Sequence, residues 1–174
     1  MLACTCSDWQ KQNKSLKTTG FRFCPWCGQL LSKGQPDEAL LEKFRQRIKD
    51  DFQATDSWGT PDLPNMLVAA RSVTDYRQTT GDLAGTLDLM LTFLEMGTWF
   101  TNEYGDIDEP YYEGLELMLD DFCALLLANP PLYETHNLSW RLTKLLRAGG
   151  DLGWGYGDYL SEQIGKVQRK FGDV

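Results

Sequence analysis

Along most of the chain, apolar positions recur at the three- and four-residue steps of a helix. From Asp37 onward Leu41, Phe44, Ile48 and Phe52 share one face, while Glu42, Lys43, Arg47 and Asp50 lie on the other. A second helix is predicted from near Pro64 through Met66, Ala69, Ala70, Val73 and Tyr76. A third follows Asp82, where Leu83, Leu87, Met90, Leu91 and Leu94 form an apolar stripe. The fourth carries the strongest start signal: Asp108 is a good N-cap, Pro110 sits just inside, and Glu109 complements the positive end of the helix dipole. It should end before Asn129. Tyr112, Leu115, Leu119, Phe122 and Leu126 share a face that Tyr111, Met118 and Leu125 widen, which predicts a central position. A fifth helix is expected from Leu132 to Ala148, stopped by Gly149 and Gly150, with Arg141, Lys144 and Arg147 suited to its negative end. The last runs from Gly157 to Phe171 with Leu160, Ile164, Val167 and Phe171 inward and Asp158 as its N-cap.

Before residue 37 this period is absent. Lys33-Gly34-Gln35-Pro36 forms a hinge, "GFRF" at 20–23 alternates like a strand, and "KQNKSLKTTG" ahead of it is polar and turn-rich. The predicted organisation is a small unit at 1–34 and a larger one at 37–174, the latter an all-α bundle of six helices with short loops. A repeat of 30 to 45 residues is present in spacing only, without recurring residues.

Bulk composition agrees with one core and one satellite. The 174 residues, 42% hydrophobic and 12% aromatic, can bury enough surface to offset chain entropy. No apolar run approaches the roughly 18 residues of a membrane span, and the polar start "MLACTCSDWQKQNK" lacks an export pattern, so a cytoplasmic, membrane-free protein is expected. Charge is uneven. Residues 1–36 hold five Lys or Arg against the single acid Asp8, near +4, so the total of −8 leaves about −12 for residues 37–174. Such a surface repels phosphate backbones, which excludes direct nucleic-acid binding by the large unit and favours a basic protein partner.

Four of the five cysteines stand as C-x-C and C-x-x-C: Cys4, Cys6, Cys24 and Cys27. Two short thiolate pairs from separated segments are what a tetrahedral zinc site requires. Cys24-Pro25-Trp26-Cys27-Gly28 supplies one pair on a knuckle, where Gly28 permits a left-handed backbone. A redox dithiol at Cys24 and Cys27 is the rival reading, but only 23 residues precede Cys24, too few for the strands and helix of a thioredoxin-like frame. The segment "FCPWCG", followed by Gln29, Leu30 and Leu31, resembles the close of zinc-ribbon or rubredoxin-like knuckles over residues 3–31. It departs from that family in having C-x-C for the commoner C-x-x-C at the first pair. The resemblance implies one structural zinc per chain, since a closed four-cysteine set has no open position for catalysis. The metal would substitute for a core that thirty residues cannot build. Trp9, Phe21, Phe23 and Trp26 could then pack on the helices or meet a partner.

Two stretches of the larger unit gather unusual side chains. "FTNEYGDIDEPYYEG" at 100–114 places Glu103, Asp106, Asp108, Glu109 and Glu113 among tyrosines. A calcium loop is excluded because Pro110 occupies the third ligand position. What remains open is helix capping by Asp108 and Glu109, an acidic partner surface, or a second metal in a hydrolase. "GGDLGWGYGDYL" at 149–160 lacks the Lys and Ser or Thr of a phosphate loop. Its glycines let the backbone approach closely while Trp154 and Tyr156 fill a groove between helices or form a recognition surface. Both stretches resemble segments of a bacterial family of helical domains to which no activity attaches. That resemblance covers residues 37–171 and implies an integral helical unit. Cys123 lies in an apolar run and His136 is the sole histidine, so a nucleophile with its base is not supported.

The function expected is that of a non-enzymatic zinc-binding interaction module or adaptor, with Trp9, Trp26, Glu103, Asp106, Asp108, Glu109, Trp154 and Tyr156 as its candidate partner surface. The alternatives are an acidic inhibitor or immunity-type protein masking a basic nucleic-acid-binding partner, and a metal-dependent hydrolase using the carboxylates at 103–113. The sequence carries no signal of oligomeric state.

Overall fold

A computed structural model gives, among the residues it describes, six α-helices where six were expected for the larger unit. It describes residues 2–3, 32–33, 38–59, 62–105, 107–134, 138–150, 152–153 and 155–172. The helices are Glu38–Phe52 (α1), Met66–Thr80 (α2), Leu83–Tyr104 (α3), Glu109–Ala128 (α4), Leu138–Gly149 (α5) and Tyr156–Phe171 (α6). A 3-10 turn at Pro130–Glu134 precedes α5, so the single helix expected from Leu132 is broken. Pro130 and Pro131 open this turn, where their fixed φ suits a helix start and their missing N–H groups are not needed; the α-helix itself begins at Leu138. Leu2–Ala3 (β1) pairs antiparallel with Ser32–Lys33 (β2), Ala3 opposite Ser32. The chain thus leaves β1 and re-enters β2 with the two ends of the intervening segment side by side. Cys4, Cys6, Cys24 and Cys27, together with Trp9, Trp26, Asp106, His136 and Trp154, lie outside the described residues.

The central helix is α3, not α4 as the apolar stripe had suggested. It packs against α1, α2, α4 and α5, and α6 closes the bundle against α4 and α5. Leu87, Leu89, Leu91, Phe93 and Leu94 are all fully buried, which takes side chains from every side of the helix. What fills the remaining positions is small. Thr86, Thr92 and Thr101 bury their hydroxyls by donating to the carbonyls of Asp82, Asp88 and Gly97 one turn back. Gly97 marks the closest approach, since a Cβ there would collide with Leu115 on α4. The Tyr111 hydroxyl donates to the Gly97 carbonyl at 2.8 Å.

Caps set the helix starts. Asn65 accepts from the Val68 amide at 3.2 Å, and Asp82 from the Ala84 amide at 3.1 Å. Asp82 also accepts the Tyr76 hydroxyl at 2.7 Å, which ties α2 to the start of α3. The start of α6 differs from expectation. Its N-cap is Gly155, with φ of 73°, and Asp158 stands in the first turn. The glycine loop does bring backbones together: a Cβ at Gly157 would lie 2.6 Å from the Gly150 carbonyl oxygen. Among the described residues no helix is long and apolar enough to cross a membrane.

Candidate functional site

The acidic stretch that begins α4 lies against the start of α2. Gly114 makes this possible, because a side chain there would press to within 3.0 Å of Met66. Between the two helix starts is a cleft of about 240 Å³, lined by Leu63, Pro64, Leu67, Asp108 and Pro110 among others. Its apolar rim faces outward. Leu67 is 79% exposed, and Leu63 and Val68 are exposed beside it in sequence. Asp62, Asp108 and Glu109 are exposed as well. Asp108 occupies the N-cap position, yet its side chain makes no cap hydrogen bond. The capping role expected of it is therefore filled by backbone position only, and its carboxylate is left to the solvent.

Glu103 at the end of α3 and Glu113 on α4 are also exposed. Among the described residues, no three His, Cys, Asp or Glu side chains are placed together to hold a metal ion. Cys123 is buried, and that burial, with Asp120 near, pushes its thiol up to about 12. A thiol so held is protonated and inert at neutral pH. Tyr156, expected at a partner surface, is fully buried with its ring 5.9 Å from that of Tyr112. Of the two readings of this stretch, groove filling holds for Tyr156 and the recognition surface does not: the flanking Gly157 admits the backbone, and the phenol fills the core.

An ion cluster that the sequence reading missed is centred on α3. Asp88, whose side chain is only 7% exposed, accepts from Arg45 Nη2 on α1 and from Arg141 Nη1 on α5, each at 2.6 Å. Arg141 also grips Glu95 with two bonds, at 2.9 and 2.7 Å. Burial pushes the Asp88 carboxyl up, but the hydrogen bond from Arg45 and the charge of Arg141 outweigh it and hold the group below the usual carboxylate range. Both Asp88 oxygens are committed to arginines, so the cluster is a clasp joining α1, α3 and α5. Arg141 belongs to this clasp, and not to the helix-dipole role suggested for it. The available signal was a lone acid between Leu87 and Leu89 in the most apolar helix.

Compared with known proteins, no family model, curated protein or solved structure matches the chain.

Proposed function

We propose that the protein is a non-enzymatic interaction module or adaptor: a zinc ribbon held by Cys4, Cys6, Cys24 and Cys27, followed by a helical unit whose acidic edge receives a basic protein partner. One observation carries the second half of this reading. Asp62, Asp108 and Glu109 are exposed near the outward-facing Leu63 and Leu67, where a partner could bury the leucines and pair the carboxylates. A hydrolase would require those acids to converge on a common atom, and the described ones form no such group. The zinc half rests on ligand type and spacing. The β1–β2 pairing supports it, because it holds the two ends of the cysteine-bearing segment side by side.

Affinity capture from the native host, with wild type beside an Asp108→Lys, Glu109→Lys variant, tests the partner surface. A basic protein retained by wild type, released by salt and lost from the variant is the expected result. Equal capture by both would overturn it. For the metal, analysis of the purified chain should find about one zinc per chain, lost on Cys24→Ser. Full retention in a Cys4→Ser, Cys6→Ser double variant would remove the first pair from the ligand set.

A further inference from the structure

Between α3 and α5 lies a groove of about 480 Å³ that the partner surface does not use. The two helices run side by side in the same direction there. Arg141 grips Glu95 at one end, and the Asn102 amide donates to the Ala148 carbonyl at 2.9 Å at the other. These fastenings stand about 10 Å of helix axis apart, so the spacing of the walls between them is set by the fold. Trp99 from α3 and Trp140 from α5 line the groove and are 37% and 62% exposed. The buried Leu145 lines its deep side. Two large indole side chains are thus left partly exposed beside one another's helix, where an apolar guest would cover them.

The charges of the groove are unequal in their commitments. Arg141 is neutralised by Asp88 and Glu95. Lys144 has no carboxylate within ion-pair distance among the described residues, and its Nζ lies 4.6 Å from the centre of the Trp140 ring. The guest site therefore combines indole walls with one cation that rests on an indole face and that no carboxylate neutralises. We propose that this groove binds a small aromatic acid, with its ring against Trp99 and Trp140 and its carboxylate at Lys144. A cationic ligand would meet Lys144 unfavourably, and a neutral ring would forgo the ion pair. This site is independent of the acidic edge.

The probe is 2-naphthoate, titrated into the full chain by calorimetry and by ligand-observed NMR, beside its neutral counterpart 2-naphthamide. Saturable one-to-one binding of naphthoate is expected, with naphthamide weaker by about 1.5-fold to fivefold, the range of an exposed ion pair. Lys144→Gln should remove that difference, and Trp140→Ala should abolish binding of both. Trp140 and Lys144 are exposed, so circular dichroism should show both variants folded. Trp58→Ala, at an 89% exposed tryptophan in the turn after α1, should bind as wild type. Equal affinity for the two naphthalenes, undiminished binding by Trp140→Ala, or no binding at millimolar concentration would each overturn the proposal. Asp108→Lys, Glu109→Lys should leave the titration unchanged, so the two surfaces stand or fall separately.

Discussion

Asp88 and Asp108 are the same side chain placed in opposite circumstances. Asp88 sits in the second turn of the most buried helix and meets two arginines, whereas Asp108 stands at a helix start with no hydrogen bond to its own cap. The clasp uses its charge inside the fold; the edge leaves its charge outside. An acidic total of −8 says nothing about this division, because only pairing decides whether a carboxylate contributes to stability or is available to a partner.

The largest effect is expected from removing the clasp's centre. Asp88→Ala leaves Arg45 and Arg141 partly buried without their shared acceptor, which should cost about 2–4 kcal/mol. The loss stays below that of a sealed ion pair because Glu42 and Glu95 still hold one arginine each. Urea unfolding measures it, and a loss under about 0.5 kcal/mol would put Asp88 in the same class as an exposed acid. The pH dependence follows from the same pairing. Asp88 is held below the usual carboxylate range, so its contribution is complete above about pH 4 and is lost as pH falls through the lowered value. Asp88→Asn should flatten that acid limb.

A smaller loss should come from Gly97→Ala, on the same helix but without charge. Its new Cβ would collide with the fully buried Leu115. Overpacking of this kind costs about 1–3 kcal/mol, against roughly 1 kcal/mol gained from alanine's better helix propensity. A net loss of about 1 kcal/mol is expected, read from the midpoint and slope of urea unfolding; a more stable variant would mean that α3 and α4 are not in close contact there.

Much of this fold is readable in the chain because helices are local objects. Leu41, Phe44, Ile48 and Phe52 were predicted on one face and are all buried, and Gly81 ends α2 in the left-handed conformation that glycine favours. The rank of the helices was not readable by the same means. Thr86, Thr92 and Thr101 look polar in a sequence, yet each satisfies its hydroxyl on its own helix and so can be buried like a small apolar residue. The clasp was hidden for a different reason: Asp88 is 43 residues from Arg45 and 53 from Arg141, and nothing local announces pairing at that range. Of the candidate site, the acids at 108 and 109 were legible from composition, but the leucines beside them were not, since Leu63 and Leu67 read equally well as core. Trp99 and Trp140 could have been noticed as tryptophans on otherwise polar helix faces.

The smallest effect is the sharpest test of the contrast. Asp108→Asn keeps a side chain able to cap and removes only the charge. Asparagine and aspartate are nearly equivalent as N-caps, so the change isolates the interaction of the carboxylate with the α4 dipole. That interaction is exposed and screened, and no side-chain cap bond is present to be lost. A change of no more than about 0.5 kcal/mol in stability is therefore expected at moderate salt. If the acidic edge receives a basic partner, the same substitution should slow association and lessen its salt dependence while the fold is untouched. A stability loss above about 1.5 kcal/mol would instead make Asp108 a structural cap, and the division between inner and outer carboxylates would then have to be redrawn with Asp108 on Asp88's side.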